Sequence, residues 1–83
     1  YQIEWKKSAL RELKRVDGKI IPRVISVVES LSSDPFPSGV RKLQGSDNTY
    51  RVRVGHYRMI YEIFQERIVI VILRVRHRKD VYR

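Results

Sequence analysis

Cysteine is absent from the 83-residue chain. That excludes a disulfide framework and a thiol nucleophile, and it fits a reducing compartment, so the cytoplasm is the expected location. Histidine occurs only twice, and the nine carboxylates are scattered. Neither offers the ligand spacing of a metal centre, and no metal or cofactor is expected. Long apolar runs are missing too. The longest, residues 68–73, has the length of a strand, against the roughly 20 residues that a membrane helix needs. No signal-peptide pattern, internal repeat or low-complexity segment is visible. What is left is one domain over residues 1–83, with room for a single core.

Acidic residues are scarce relative to basic ones: 18 Lys and Arg stand against 9 Asp and Glu, for a net charge of +9. A 42% hydrophobic share keeps the chain globular despite that charge;. The excess is uneven. Residues 1–40 carry +2 and residues 41–83 carry +7, with nine of the eleven bases in the second part being Arg. A polyanionic partner follows, whether RNA, DNA or an acidic protein.

These arginines follow a period of two. Tyr50-Arg51-Val52-Arg53-Val54 opens the pattern, Tyr57-Arg58-Met59-Ile60-Tyr61 continues it, and Arg74-Val75-Arg76-His77-Arg78-Lys79 leads to the closing Val81-Tyr82-Arg83. On neighbouring strands such residues gather on one face of a sheet. Guanidinium is the side-chain group best shaped for bidentate contact with phosphate.

The rest of the chain supplies the frame. Residues 1–5 alternate as a short strand. Ser8 is the expected cap of a first helix that faces inward through Ala9, Leu10, Leu13 and Val16; its basic face of Lys7, Arg11, Lys14 and Arg15 reads as solvated. Asp17-Gly18 breaks it as a two-residue link. A second helix follows, striped by Ile20, Val24, Val27 and Leu31, with Pro22 tolerated in its first turn. Asp34-Pro35-Phe36-Pro37-Ser38-Gly39 is a loop crossing to the sheet, and residues 40–43 form an extended connector. Three strands then follow over 49–54, 57–65 and 67–76, joined by short turns as an antiparallel meander. The expected class is α+β in the order β-α-α-β-β-β: an N-terminal strand, a two-helix hairpin and a three-stranded antiparallel meander. The helices cover one face of an antiparallel sheet, and the arginines occupy the other. Tyr50, Tyr57 and Tyr61 share one parity and read as core or core rim. His56, after Gly55, reads as a solvated turn residue.

This order, with its basic second half, resembles the RelE toxins of the RelE/ParE superfamily. Arg41-Lys42-Leu43-Gln44-Gly45 is similar to their "KLKG"-type segment, and Tyr57-Arg58-Met59-Ile60-Tyr61 to their "YR-hydrophobic-hydrophobic-Y" strand. Val75-Arg76-His77-Arg78 with Val81-Tyr82-Arg83 resembles their C-terminal ending. The resemblance implies a ribosome-dependent endoribonuclease that cuts messenger RNA in the decoding site. The ribose 2′-hydroxyl attacks the adjacent phosphodiester and leaves a 2′,3′-cyclic phosphate and a 5′-hydroxyl. It also implies a cognate RelB-like antitoxin and a toxin–antitoxin heterotetramer. ParE-type relatives share the fold but inhibit DNA gyrase by binding, and they form the alternative reading.

Carried over by position, the family's catalytic set falls on Arg51, Arg53, Arg58, Arg78 and Tyr82. Arg58 would clamp the phosphate, Arg78 would serve the leaving oxygen, and Tyr82 would stack on a base. Arg74, Arg76, Lys79 and Arg83 would steer RNA. Arg51 and Arg53 depart from the lysines of the best-known branch, and arginine is a poor proton acceptor. The general base is therefore open. His77 and His56 are the only side chains of a class suited to proton transfer near neutrality, and His77, next to Arg78, is the candidate acid or base.

Overall fold

Four alternating residues open the chain as β1 (Gln2–Trp5) in the computed structural model, which describes residues 1–81. α1 (Lys7–Leu13) follows without a loop. The Lys6 N–H still donates to the Ile72 carbonyl at 3.0 Å, while the Lys6 carbonyl already accepts the Leu10 N–H at 3.0 Å. Lys6 is therefore the cap residue, and Ser8, expected in that role, sits inside the first turn with no side-chain cap bond made. The last pairing of the strand decides where the helix starts. α1 packs on the sheet through fully buried Ala9, whereas Leu10, expected on the same face, turns outward at 43% exposed.

The link between the helices is longer than two residues. α1 stops at Leu13, and Val16 is buried in the turns that follow. Asp17 organises those turns. Its Oδ1 accepts the Lys19 N–H at 3.0 Å, and its carbonyl accepts the N–H groups of Ile20 and Ile21 at 2.8 and 3.2 Å. This local bonding winds the chain into α2 (Ile21–Leu31), with Pro22 in the first turn where its missing N–H costs nothing;. Val24, Val28 and Leu31 of α2 enter the core, each contributing about 1.5–3 kcal/mol by burial;. The following loop is pinned by the Tyr61 hydroxyl, which donates to the Pro35 carbonyl at 2.9 Å.

The sheet adds β2 (Arg41–Lys42), β3 (Thr49–Val54), β4 (Tyr57–Phe64) and β5 (Val69–His77), and a short α3 (Arg78–Val81) follows. The strand order is β1-β5-β4-β3-β2. The meander is antiparallel as expected, and the connector at residues 40–43 contributes β2, paired to β3. β1, however, lies parallel to β5, from Gln2 opposite Val69 to Trp5 opposite Ile72. The sheet is therefore mixed rather than wholly antiparallel. β5 also starts two residues later than the pattern implied, because a turn occupies residues 65–68 and leaves Ile68 at φ 56°.

One face of the sheet meets the helices in a single cluster that includes Val24, Leu31, Val52, Met59, Tyr61, Ile70, Ile72 and Val75. Tyr61 is fully buried, while Tyr50 and Tyr57 pack at the rim. Among the described residues no helix is long and apolar enough to cross a membrane.

Candidate functional site

A register shift on β4 and β5 determines which side chains reach the open face. Ile60 lies opposite Arg74 but Tyr61 lies opposite Ile72, so Leu73 is an extra residue on β5. Without that bulge Ile72 and Arg74 would share a face, since side chains alternate strictly along a strand. With it, Ile72 and Val75 both enter the core, and Arg74 and Arg76 face away from it.

The open face therefore carries arginines in two rows. Arg53, Arg58 and Arg76 are direct cross-strand partners on β3, β4 and β5. One step along, Arg41, Arg51, Ile60 and Arg74 form the second row across β2 to β5. Like charges directly opposite one another oppose folding. An array that costs stability and is kept on one face is a candidate anion site.

The two arginines of β5, one from each row, are not placed like the others. Glu12 of α1 sits beside β5 beyond the end of β1, where the Val75 N–H donates to its Oε1 at 3.0 Å. Arg76 Nε reaches the same carboxylate at 2.8 Å and Arg74 at 3.3 Å. Burial opposes ionisation of Glu12, but these hydrogen bonds and the fields of the two arginines outweigh it and hold the carboxyl below its ordinary 4.5;. Arg74 and Arg76, expected to steer RNA, are thus tied to a carboxylate at the sheet edge.

Arg53, Arg58 and Arg78 line one cleft of about 690 Å³, together with Gly55, His56, Tyr57 and Lys79. Arg58 is only 7% exposed, whereas Arg53, Arg78 and Lys79 are open to solvent. A smaller recess of about 280 Å³ adjoins it, lined by Gly39, Arg41 and Arg51 and sharing Arg53 and Arg58. Arg78 reaches the cleft because its N–H donates to the His56 carbonyl at 2.8 Å, which fastens the start of α3 to the β3–β4 turn. Residues from two strands and a terminal helix therefore present guanidiniums to one space.

His77 is not among them. It is the cross-strand partner of Tyr57 and shares the face of that residue, opposite to the one that carries Arg58. Its ring stands edge-on to Tyr57 at 5.2 Å, its Nδ1 accepts the Lys79 N–H at 3.2 Å, and it lines a separate recess with Glu12 and Arg15. Strand alternation continues through residue 77, so adjacency to Arg78 in sequence does not become adjacency in the cleft. The histidine that does line the cleft is His56, which the sequence left as a solvated turn residue. Arg41 was also missed, although its place in the Arg41-Lys42-Leu43 segment was a usable signal. Tyr82 and Arg83 lie outside the described residues.

A family model described as ParE toxin of type II toxin-antitoxin system, parDE, matches residues 3–82. Toxin RelG of Mycobacterium tuberculosis is 33% identical over 84 residues, spanning all of this chain and 97% of that protein. Among solved structures, the archaeal RelE-RelB complex from Pyrococcus horikoshii matches with a TM-score of 0.84 at 29% identity, over 94% of each chain. The toxin-antitoxin complex RelBE2 from Mycobacterium tuberculosis matches at 0.82 and 30% identity, over 93% of this chain and 96% of that one. Fold and relatives define the class, a toxin of a type II toxin–antitoxin system. The chain belongs to the RelE/ParE superfamily.

Proposed function

We propose that this toxin is a ribosome-dependent endoribonuclease that cuts messenger RNA in the decoding site, and that a cognate RelB-like antitoxin neutralises it in a heterotetramer. The observation that carries the reading is the meeting of Arg58 from β4 and Arg78 from α3 in one cleft, with Arg53 beside them. In-line attack by a 2′-oxygen gathers negative charge on the non-bridging oxygens and on the departing 5′-oxygen. Fixed guanidiniums lower the barrier for both without moving. Arg58, buried and held by its strand, is suited to clamp the scissile phosphate. Arg78, at the cleft edge, is suited to the leaving oxygen. Arg51 and Arg53 would hold the flanking backbone, Lys79 and Arg83 would steer RNA, and Tyr82 would stack on a base. Relatives named as RelE toxins and structural neighbours solved as toxin-antitoxin complexes support the same reading and the antitoxin partner. Its place of action would be the cytoplasm, where ribosomes are.

Expression in bacteria followed by primer extension on an abundant messenger tests this. Codon-phased cuts are expected, and Arg58→Ala or Arg78→Ala should each lower cleavage by about 10²-fold or more with much smaller loss of ribosome binding. DNA-damage signalling without cuts would replace this reading with gyrase inhibition. Equal losses of cleavage and binding would reduce both arginines to docking residues.

A further inference from the structure

The cleft holds cations for the phosphate, but attack by a 2′-hydroxyl also needs a group to take its proton. Guanidinium cannot do so at neutrality. The side chains around the cleft leave few alternatives. Among the described residues no carboxylate lines it, the tyrosine present is a phenol and the lysine an ammonium, and both classes hold their protons near neutrality;. The Tyr57 hydroxyl is moreover engaged by the Asp17 N–H at 3.1 Å. One lining residue belongs to a class that exchanges a proton in this range, and that is His56;.

Its position follows from the turn. Gly55 takes φ +60°, and His56 completes the two-residue reversal between β3 and β4, a place where glycine is needed first and the second residue is free to vary;. His56 is exposed, so a substrate can reach its ring, and its own carbonyl anchors the Arg78 N–H. The imidazole is therefore carried on the same backbone junction that places the leaving-group arginine. The charged and titratable groups around it are Arg53 and Arg58 on the flanking strands, and Arg78 and Lys79 at the start of α3. Arg23 of α2 lies against Gly55, and the His77 ring is 6.2 Å away.

We infer that His56 is the proton acceptor for the 2′-hydroxyl, an inference that rests on the ribonuclease reading above. The 2′-O–H bond breaks and its proton passes to a ring nitrogen of His56. The 2′-oxygen forms its bond to phosphorus as the bond from phosphorus to the 5′-oxygen breaks. That oxygen leaves beside Arg78 and takes a proton from water, and the hydroxide so formed recovers the proton from His56. No net proton is consumed.

Single-turnover cleavage of messenger on purified programmed ribosomes tests the assignment. Wild-type rates should fall toward acid pH. His56→Ala should lower the rate by about 10²-fold, erase that acid limb and leave ribosome association near wild type, and added imidazole should restore part of the loss. His56→Gln, which keeps size and hydrogen bonding, should fail in the same way. Wild-type cleavage with an unchanged rate and unchanged acid limb in both variants would overturn the role of His56 and leave the ribonuclease reading standing. Loss of ribosome association in step with rate would make His56 a docking residue and overturn it equally. A wild-type protein that cuts nothing on ribosomes would remove the ribonuclease reading, and this inference with it.

Discussion

Glu12 is the residue on which the basic end of β5 depends. It accepts the Val75 N–H, where β1 no longer covers the strand, and it takes two arginines that would otherwise crowd the array. Glu12→Gln should therefore cost about 1–2 kcal/mol at pH 7, seen as a lower unfolding midpoint by calorimetry. The sign of its pH dependence follows from the depressed carboxyl. The folded state holds this proton less tightly than the unfolded chain does. The stabilisation is thus complete above the ordinary value of 4.5 and is lost as pH falls through the lower folded value;. The gap between wild type and variant should be constant above pH 5 or so and close in acid; a gap that persists there would assign the loss to packing instead. At this scale Arg51, Arg53 and Arg58 were legible in the sequence, because alternation decides which face a strand residue takes where no bulge intervenes;. His56 was not. Whether a turn residue lines a cleft depends on the segment that crosses it, and that segment is α3, more than 20 positions on. Glu12 was equally hidden, since a carboxylate on a short basic helix looks solvated until the strand beside it is known.

Among the elements, the β4–β5 turn stores strain. Ile68 is β-branched, 59% exposed, and held in the left-handed region that glycine and asparagine tolerate far better;. Its carbonyl accepts the Gln2 N–H at 2.9 Å, which begins the parallel pairing of β1. The conformation is thus required by the sheet, and the side chain contributes little burial in return. Ile68→Asn should stabilise the protein by about 1 kcal/mol, a gain of roughly 4–8 °C in Tm for a domain of this size. An unchanged or lower Tm would mean that the turn relaxes around isoleucine without cost. The order of elements was readable from hydrophobic period and from the Pro-rich loop. The helix boundaries were displaced because a tertiary bond from Lys6 to Ile72 and the turn at Asp17 set them, neither of which has a local signature. The bulge at Leu73 shows the same limit: the change of phase between Ile72 and Arg74 is visible in the letters, but only pairing with β4 gives it meaning.

Over the whole molecule, charge sets how the protein meets its partner. The net +9 is long-range and acts on any polyanion, whereas the cleft and the recess beside it would engage only what fits among Arg51, Arg53, Arg58 and Arg78;. These contributions separate in a salt titration. Arg74 and Arg76 share one carboxylate and should release few counterions, so about four cations remain to contact a single strand. For single strands each phosphate contact contributes roughly 0.7 to the slope of log affinity against log salt, which gives a slope near −3. Raising salt from roughly 50 to roughly 200 mM should then weaken binding of a short, uncleavable RNA by about 50-fold, measurable by fluorescence anisotropy. Arg53→Ala should shallow the slope by about one contact, while Arg74→Ala should leave it nearly unchanged. A wild-type slope closer to −4, shallowed equally by both substitutions, would show that Glu12 does not withhold its arginines from RNA. The anion site would then be the full width of the sheet rather than the cleft.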